Sequence, residues 1–151
     1  MTFHRPHKLT LTPSLALLLS LILTMIHATA VAAPAVLVSE FANRSAAIQL
    51  NGSEISGSRY VFVGPESGIE RVDFYLNNTP PSSPYIIERV KPFDFNGTAD
   101  NLTAKPLDTS SIPDGQHTIY ANVHYTSGGT EFLSTAFTVN NSAPVLEFSQ
   151  A

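Results

Sequence analysis

The chain has no cysteine and no tryptophan among its 151 residues. Without cysteine there is no disulfide, no redox dithiol, no thiolate zinc site and no lipid anchored through sulfur. A domain built from this sequence is held by its core alone. Charged residues make up only 13% of the chain, and lysine and arginine nowhere cluster. Beyond residue 32, six basic residues (Arg44, Arg59, Arg71, Arg89, Lys91, Lys105) stand against all twelve acids. That balance disfavours nucleic acid and anionic membrane surfaces as partners. Helical periodicity is missing beyond the first 32 residues. So are internal repeats, Gly-rich phosphate loops and a G-x-S-x-G elbow.

What is present begins with a leader. Residues 1–8 carry Arg5 and Lys8 and no acid, residues 15–26 are almost wholly apolar, and residues 28–33 are small-residue rich. This is the layout of a secretory signal peptide, with cleavage expected after Ala32 or, as the alternative, after Ala30. A retained membrane anchor is the competing reading, but the apolar run falls short of the roughly 20 residues that span a bilayer. The sequence therefore predicts a signal peptide over 1–32, a lead-in segment over 33–45, one domain over 46–140 and a C-terminal tail over 141–151. No second apolar run follows, so no membrane span is expected after cleavage. The expected location is secreted, periplasmic or cell surface.

Residues 108–125, D-T-S-S-I-P-D-G-Q-H-T-I-Y-A-N-V-H-Y, organise the remainder. Pro113, Asp114 and Gly115 make a turn: a fixed φ, a side chain that bonds its own backbone, and a residue free to take positive φ. A strand follows. His117, Ile119, Ala121, Val123 and Tyr125 share one face, and Gln116, Thr118, Tyr120, Asn122 and His124 the other, as a sheet with a core side and a water side requires. Residues 69–76 alternate the same way, with Val72, Phe74 and Leu76 inward and Arg71, Asp73 and Tyr75 outward. Ser127-Gly128-Gly129 turns the chain into a strand over 131–139 with Leu133, Phe137 and Val139 on one face. Residues 34–42 are expected to pair as an edge strand, residues 55–63 to form one strand, and residues 85–90 another edge. Asn51-Gly52 marks a turn. The Pro-rich loop 77–84 cannot join a ladder. Phe93 and Phe95 are expected to plug one end of the core.

The same stretch resembles the motif through which bacterial immunoglobulin-like domains lead into a late central strand. G-S-R-Y-V-F-V-G-P-E-S-G-I-E-R-V-D-F-Y-L-N (57–77) resembles that family's early strand, loop and V-x-F-Y strand. K-P-F-D-F-N-G-T-A (91–99) resembles its A-P-F/Y-D-F segment. Order and spacing carry the resemblance, over residues 46–139. It implies an all-β, immunoglobulin-like β-sandwich of about seven antiparallel strands. It also implies that Val61 and Val63 point inward, and that strand 69–76 lies beside 116–125, which lies beside 131–139. The family pattern names no catalytic residue. Such domains sit in larger surface or secreted proteins beside catalytic or sugar-binding units.

Candidate sites are few. Oxygen-bearing residues gather over 94–101, yet their spacing is wrong for an EF-hand, and solvated turn residues are expected there. His117 and His124 fall on opposite faces of one strand and cannot share a metal. His117 is expected at the core margin, satisfied by turn backbone, and His124 in solvent. No nucleophile or carboxylate partner for either is recognisable, so no catalytic residue, metal or cofactor is expected. Six N-x-[ST] sequons, at Asn43, Asn51, Asn77, Asn96, Asn101 and Asn140, matter only in a host that glycosylates them. Tyr75, Tyr120 and Phe132 are outward on adjacent strands. They are either a flat platform for sugar rings or a partner protein, or ordinary cross-strand pairs. The expected role is a non-catalytic scaffold, spacer or protein-interaction module. The alternative is a small carbohydrate-binding module using those aromatics. An unknown extracellular protein or polysaccharide is the expected partner.

Overall fold

The computed structural model describes residues 32–99 and 103–142. The expected leader and most of the expected tail lie outside the described residues. The elements belong to one compact unit, Ala33–Ala151. They are β1 (Ala35–Ser39), β2 (Ile48–Gln49), β3 (Glu54–Ile55), β4 (Ser58–Gly64), β5 (Ile69–Leu76), β6 (Ile86–Glu88), β7 (Phe93–Asp94), β8 (Leu107–Asp108), a 3-10 turn (Thr109–Ser111), β9 (Gly115–Tyr125) and β10 (Thr130–Val139). The fold is all-β and its two sheets form a sandwich. One sheet runs β2-β1-β4-β7, with β8 also pairing β4, and the other runs β3-β10-β9-β5-β6. Pairing is antiparallel except between β3 and β10, which run parallel. Among the described residues no helix is long and apolar enough to cross a membrane.

Strands β5, β9 and β10 form where the two-residue alternation is cleanest. Gly128 and Gly129 both take positive φ in the turn, at 84° and 89°, which lets β9 fold back onto β10. The core lies between the sheets. Val36, Val38, Val61, Val63, Phe93 and Phe95 enter it from one side, and Val72, Phe74, Ile119, Ala121, Val123 and Phe137 from the other. Phe74 meets Phe95 edge to face at 5.5 Å across the sandwich. Tyr85 stacks on Phe95 from the rim at 4.8 Å. A phenylalanine truncated to alanine in such a place costs about 3–5 kcal/mol.

Several expectations are corrected. Ala35–Ser39 is not an edge: β1 lies between β2 and β4, with Leu37 and Val38 paired on both sides. Residues 55–63 are not one strand. Gly57, at φ 69°, breaks the run, and the chain crosses from one sheet as β3 to the other as β4. The valines of β4 do face inward. Among the described residues ten strands replace about seven, because short two-residue strands flank the long ones. The turn before β9 holds a 3-10 turn whose first residue is preceded by Asp108; that carboxylate accepts from the Ser110 amide at 3.0 Å. Asp94 is not a solvated turn residue. It is fully buried, accepts from Arg44 Nε at 2.7 Å and from Arg44 Nη2, and takes a hydrogen bond from Thr98.

The outer face of the five-stranded sheet as a candidate site

Register turns the outward residues of β5, β9 and β10 into a grid. Its first row is Arg71, His124 and Thr130. The second is Asp73, Asn122 and Phe132, and the third is Tyr75, Tyr120 and Ser134. Ile87 of β6 extends the second row beyond Asp73. A β-bulge between Ile69 and Arg71 sets the first row. Two residues of β5 there span one step of β9, which keeps Ile69 in the core while aligning Arg71 with His124.

The three sequence-predicted aromatics share this face but are not equivalent. Tyr120 and Phe132 stack at 5.7 Å with their planes 13° apart. Phe132 is 50% exposed, because β10 is an open edge there: β3 covers only Thr138 and Val139. Tyr75 stands directly opposite Tyr120 but is only 5% exposed. It sits on an interior strand, between Tyr120 and the chain leading into β6. Alternation assigns a side chain to a face; it does not say what covers it. The exposed aromatic surface of this face is therefore Phe132 stacked on Tyr120, with Tyr75 buried beside them.

The polar part was missed by sequence reasoning. Arg71 donates through Nε to Asp73 Oδ1 at 2.8 Å and through Nη2 to Oδ2 at 3.2 Å. His124 Nε2 lies 3.0 Å from Asp73 Oδ2 and 3.1 Å from Arg71 Nη2, and its Nδ1 lies 3.2 Å from Thr130 Oγ1. His124 is thus not a free solvated ring but the centre of a four-residue network. Burial alone pushes the Asp73 carboxyl up, yet hydrogen bonds from Arg71 and His124 outweigh it and hold the group below its usual range. A hydroxyl, an imidazole and a carboxylate now stand in sequence, where none was recognisable in the chain. The Asp73 carboxylate is held by Arg71 through both oxygens. Two signals existed in the sequence: the one-residue gap between Arg71 and Asp73, and the Gly-Gly turn that pairs His124 with Thr130. The bulge that joins these two pairs did not announce itself.

His117 lies at the core margin as expected, with Nε2 2.8 Å from the Pro113 carbonyl oxygen and Nδ1 2.9 Å from Asn77 Nδ2. Among the described residues no group of three or more His, Asp or Glu side chains is placed to hold a metal. Of the acids and amides in 94–101, Asp100 and Asn101 lie outside the described residues. A separate cavity of about 220 Å³ opens between the sheet edges, lined in part by Glu40, Phe41, Ile48, Glu54 and Arg59. Its Arg59 is paired with Glu40 at 3.4 Å.

No protein-family model matches the chain, and no curated protein matches it. Among solved structures it is similar to the endo-beta-1,4-mannanase from Thermotoga petrophila at 17% identity, with a TM-score of 0.41. The match covers 74% of this chain and 20% of the mannanase chain. A likeness of that size carries no functional inference.

Proposed function

We propose that this protein is a non-catalytic, exported immunoglobulin-like module that contacts another molecule through the outer face of its five-stranded sheet. The charged, apolar and small-residue layout of the first 32 residues supports export. The strand order β10-β9-β5 along one sheet, with β1 and β4 in the facing one, agrees with immunoglobulin-like topology. One observation carries the interaction reading: Phe132, half exposed, is held flat against Tyr120 beside a fixed polar network. Large rigid aromatics kept partly in water are the groups that anchor contacts.

The absence of cysteine supplies the test. Phe132→Cys and Ile48→Cys each introduce a unique thiol, on opposite sheets and both at exposed positions. A polymer attached at position 132 abolishes retention of the protein on the cell envelope of its native host. The same polymer at position 48 leaves retention intact. Equal behaviour of the two conjugates refutes the assignment of the contact face.

A further inference from the structure

We infer that the molecule contacted is a neutral polysaccharide, with one pyranose ring lying on Phe132 and its hydroxyl rim over Asn122. The inference rests on the contact face assigned above and names its occupant. A pyranose presents an apolar face of C–H bonds and a rim of hydroxyls. A complementary site needs a flat aromatic for the first and fixed donors and acceptors alongside for the second.

The second row of the grid supplies both. Phe132, Asn122 and Asp73 stand directly opposite one another on three neighbouring strands. They span two strand spacings, about 10 Å. Tyr120 sets the tilt of the Phe132 ring by stacking on it. Asn122 is half-buried between the aromatic and the ionic pair, and its side-chain amide has no hydrogen-bond partner among the described residues. It keeps donors and an acceptor for a ligand. Asp73 and His124 are held by Arg71 and Thr130, so little side-chain freedom is lost when a ligand arrives.

Charge decides against the other occupants. The paired outward positions hold one cation, Arg71, and one anion, Asp73, which neutralise each other at 2.8 Å, and the bulge adds the exposed Glu70 beside Arg71. A polyanionic glycan or an acidic peptide meets only a cation already paired, and a strongly basic peptide meets only Glu70, whereas an uncharged hydroxyl-rich chain needs no counter-charge. Binding is weak, because a flat face recovers little buried area against the cost of association. It is also insensitive to salt, because no net charge takes part.

Native gels containing hydroxyethylcellulose, xylan, galactomannan or starch test this, with polygalacturonate as the anionic control. At least one neutral polymer retards the protein. Phe132→Ala weakens the retardation by about tenfold or more, the scale of losing one aromatic contact with its buried area. Asn122→Ala weakens it by a smaller factor, and Ile48→Ala leaves it unchanged. All variants are compared at equal foldedness by urea titration. The inference is overturned by the absence of retardation in every neutral polymer, by retardation in polygalacturonate alone, or by full retardation of folded Phe132→Ala. Envelope retention that depends on position 132, with no retardation by any glycan, removes the polysaccharide and leaves the contact face standing. Retention indifferent to position 132 removes both.

Discussion

Two aspartates of this molecule are each gripped by an arginine, and they live in different worlds. Asp94 ends β7 and points away from the core that Phe93 and Phe95 fill. It is fully buried, Arg44 comes to it from 50 residues earlier in the chain, and that arginine side chain is itself only 13% exposed. Asp73 lies on the outer face of β5 and is itself only 7% exposed, but its arginine is two residues away and 31% exposed. The first pair ties the loop after β1 to the edge of its sheet. The second orders a surface on which His124 and Asn122 are also placed. The same ionic chemistry thus ties distant segments together in one place and orders neighbouring side chains of one sheet face in the other.

The largest difference expected between the two is in stability. Asp94→Ala removes the carboxylate that accepts from Arg44 and Thr98, at a cost of about 3–5 kcal/mol. Asp73→Ala costs less, about 1–3 kcal/mol, because Arg71, 31% exposed, can turn to solvent. Urea unfolding of both variants checks this, and similar losses would show that the surface pair is as structural as the buried one. Replacing both Arg44 and Asp94 by apolar residues of similar volume recovers most of the loss, since packed side chains then take the place of a desolvated ion pair.

A smaller effect separates Asp73 from an ordinary carboxylate as pH falls. Its folded-state carboxyl titrates below the usual value of 3.8. The unfolded chain therefore takes up this proton first. The stabilisation from Arg71 and His124 is fully present above that value and is lost as pH drops below it through the folded pKa. Stability curves of the protein and of Asp73→Asn converge in that acid window and stay apart above it. Curves that remain parallel down to the lowest pH would remove Asp73 from the linkage.

The smallest effect concerns a carboxylate with no arginine. Glu131 accepts from the Tyr125 hydroxyl at 2.5 Å. That hydrogen bond, then burial, then the carboxylate charge push the phenol up to about 12. Absorbance titration shows one tyrosine ionising late, and Glu131→Gln moves it back toward 10.0. Nothing changes near neutral pH, because the phenol is protonated there with or without Glu131.

The faces of β5 and β9 were legible residue by residue, from Val72 and Phe74 to Ile119 and Val123, all fully buried. The order of β5, β9 and β10 was legible through the resemblance. Gly57 was not legible as a crossing between sheets, since a glycine between two short apolar runs also suits a bulge or a loop. The half of the site made of Phe132 and Tyr120 was visible in the alternation. The half made of Arg71, Asp73, His124 and Thr130 was not, because it depends on a bulge that shifts one register by a residue.

Side-chain parity is a local property of an extended backbone, with a period of two, and so the amino-acid sequence by itself determined which residues share a face. Depth and partnership are not local. Tyr75 and Phe132 have the same outward parity, yet one is covered and the other half exposed, because one lies on an interior strand and the other on an edge that β3 leaves open. Asp94 and Asp73 look alike in the chain, and only the packing of distant segments brought Arg44 to the first and His124 to the second.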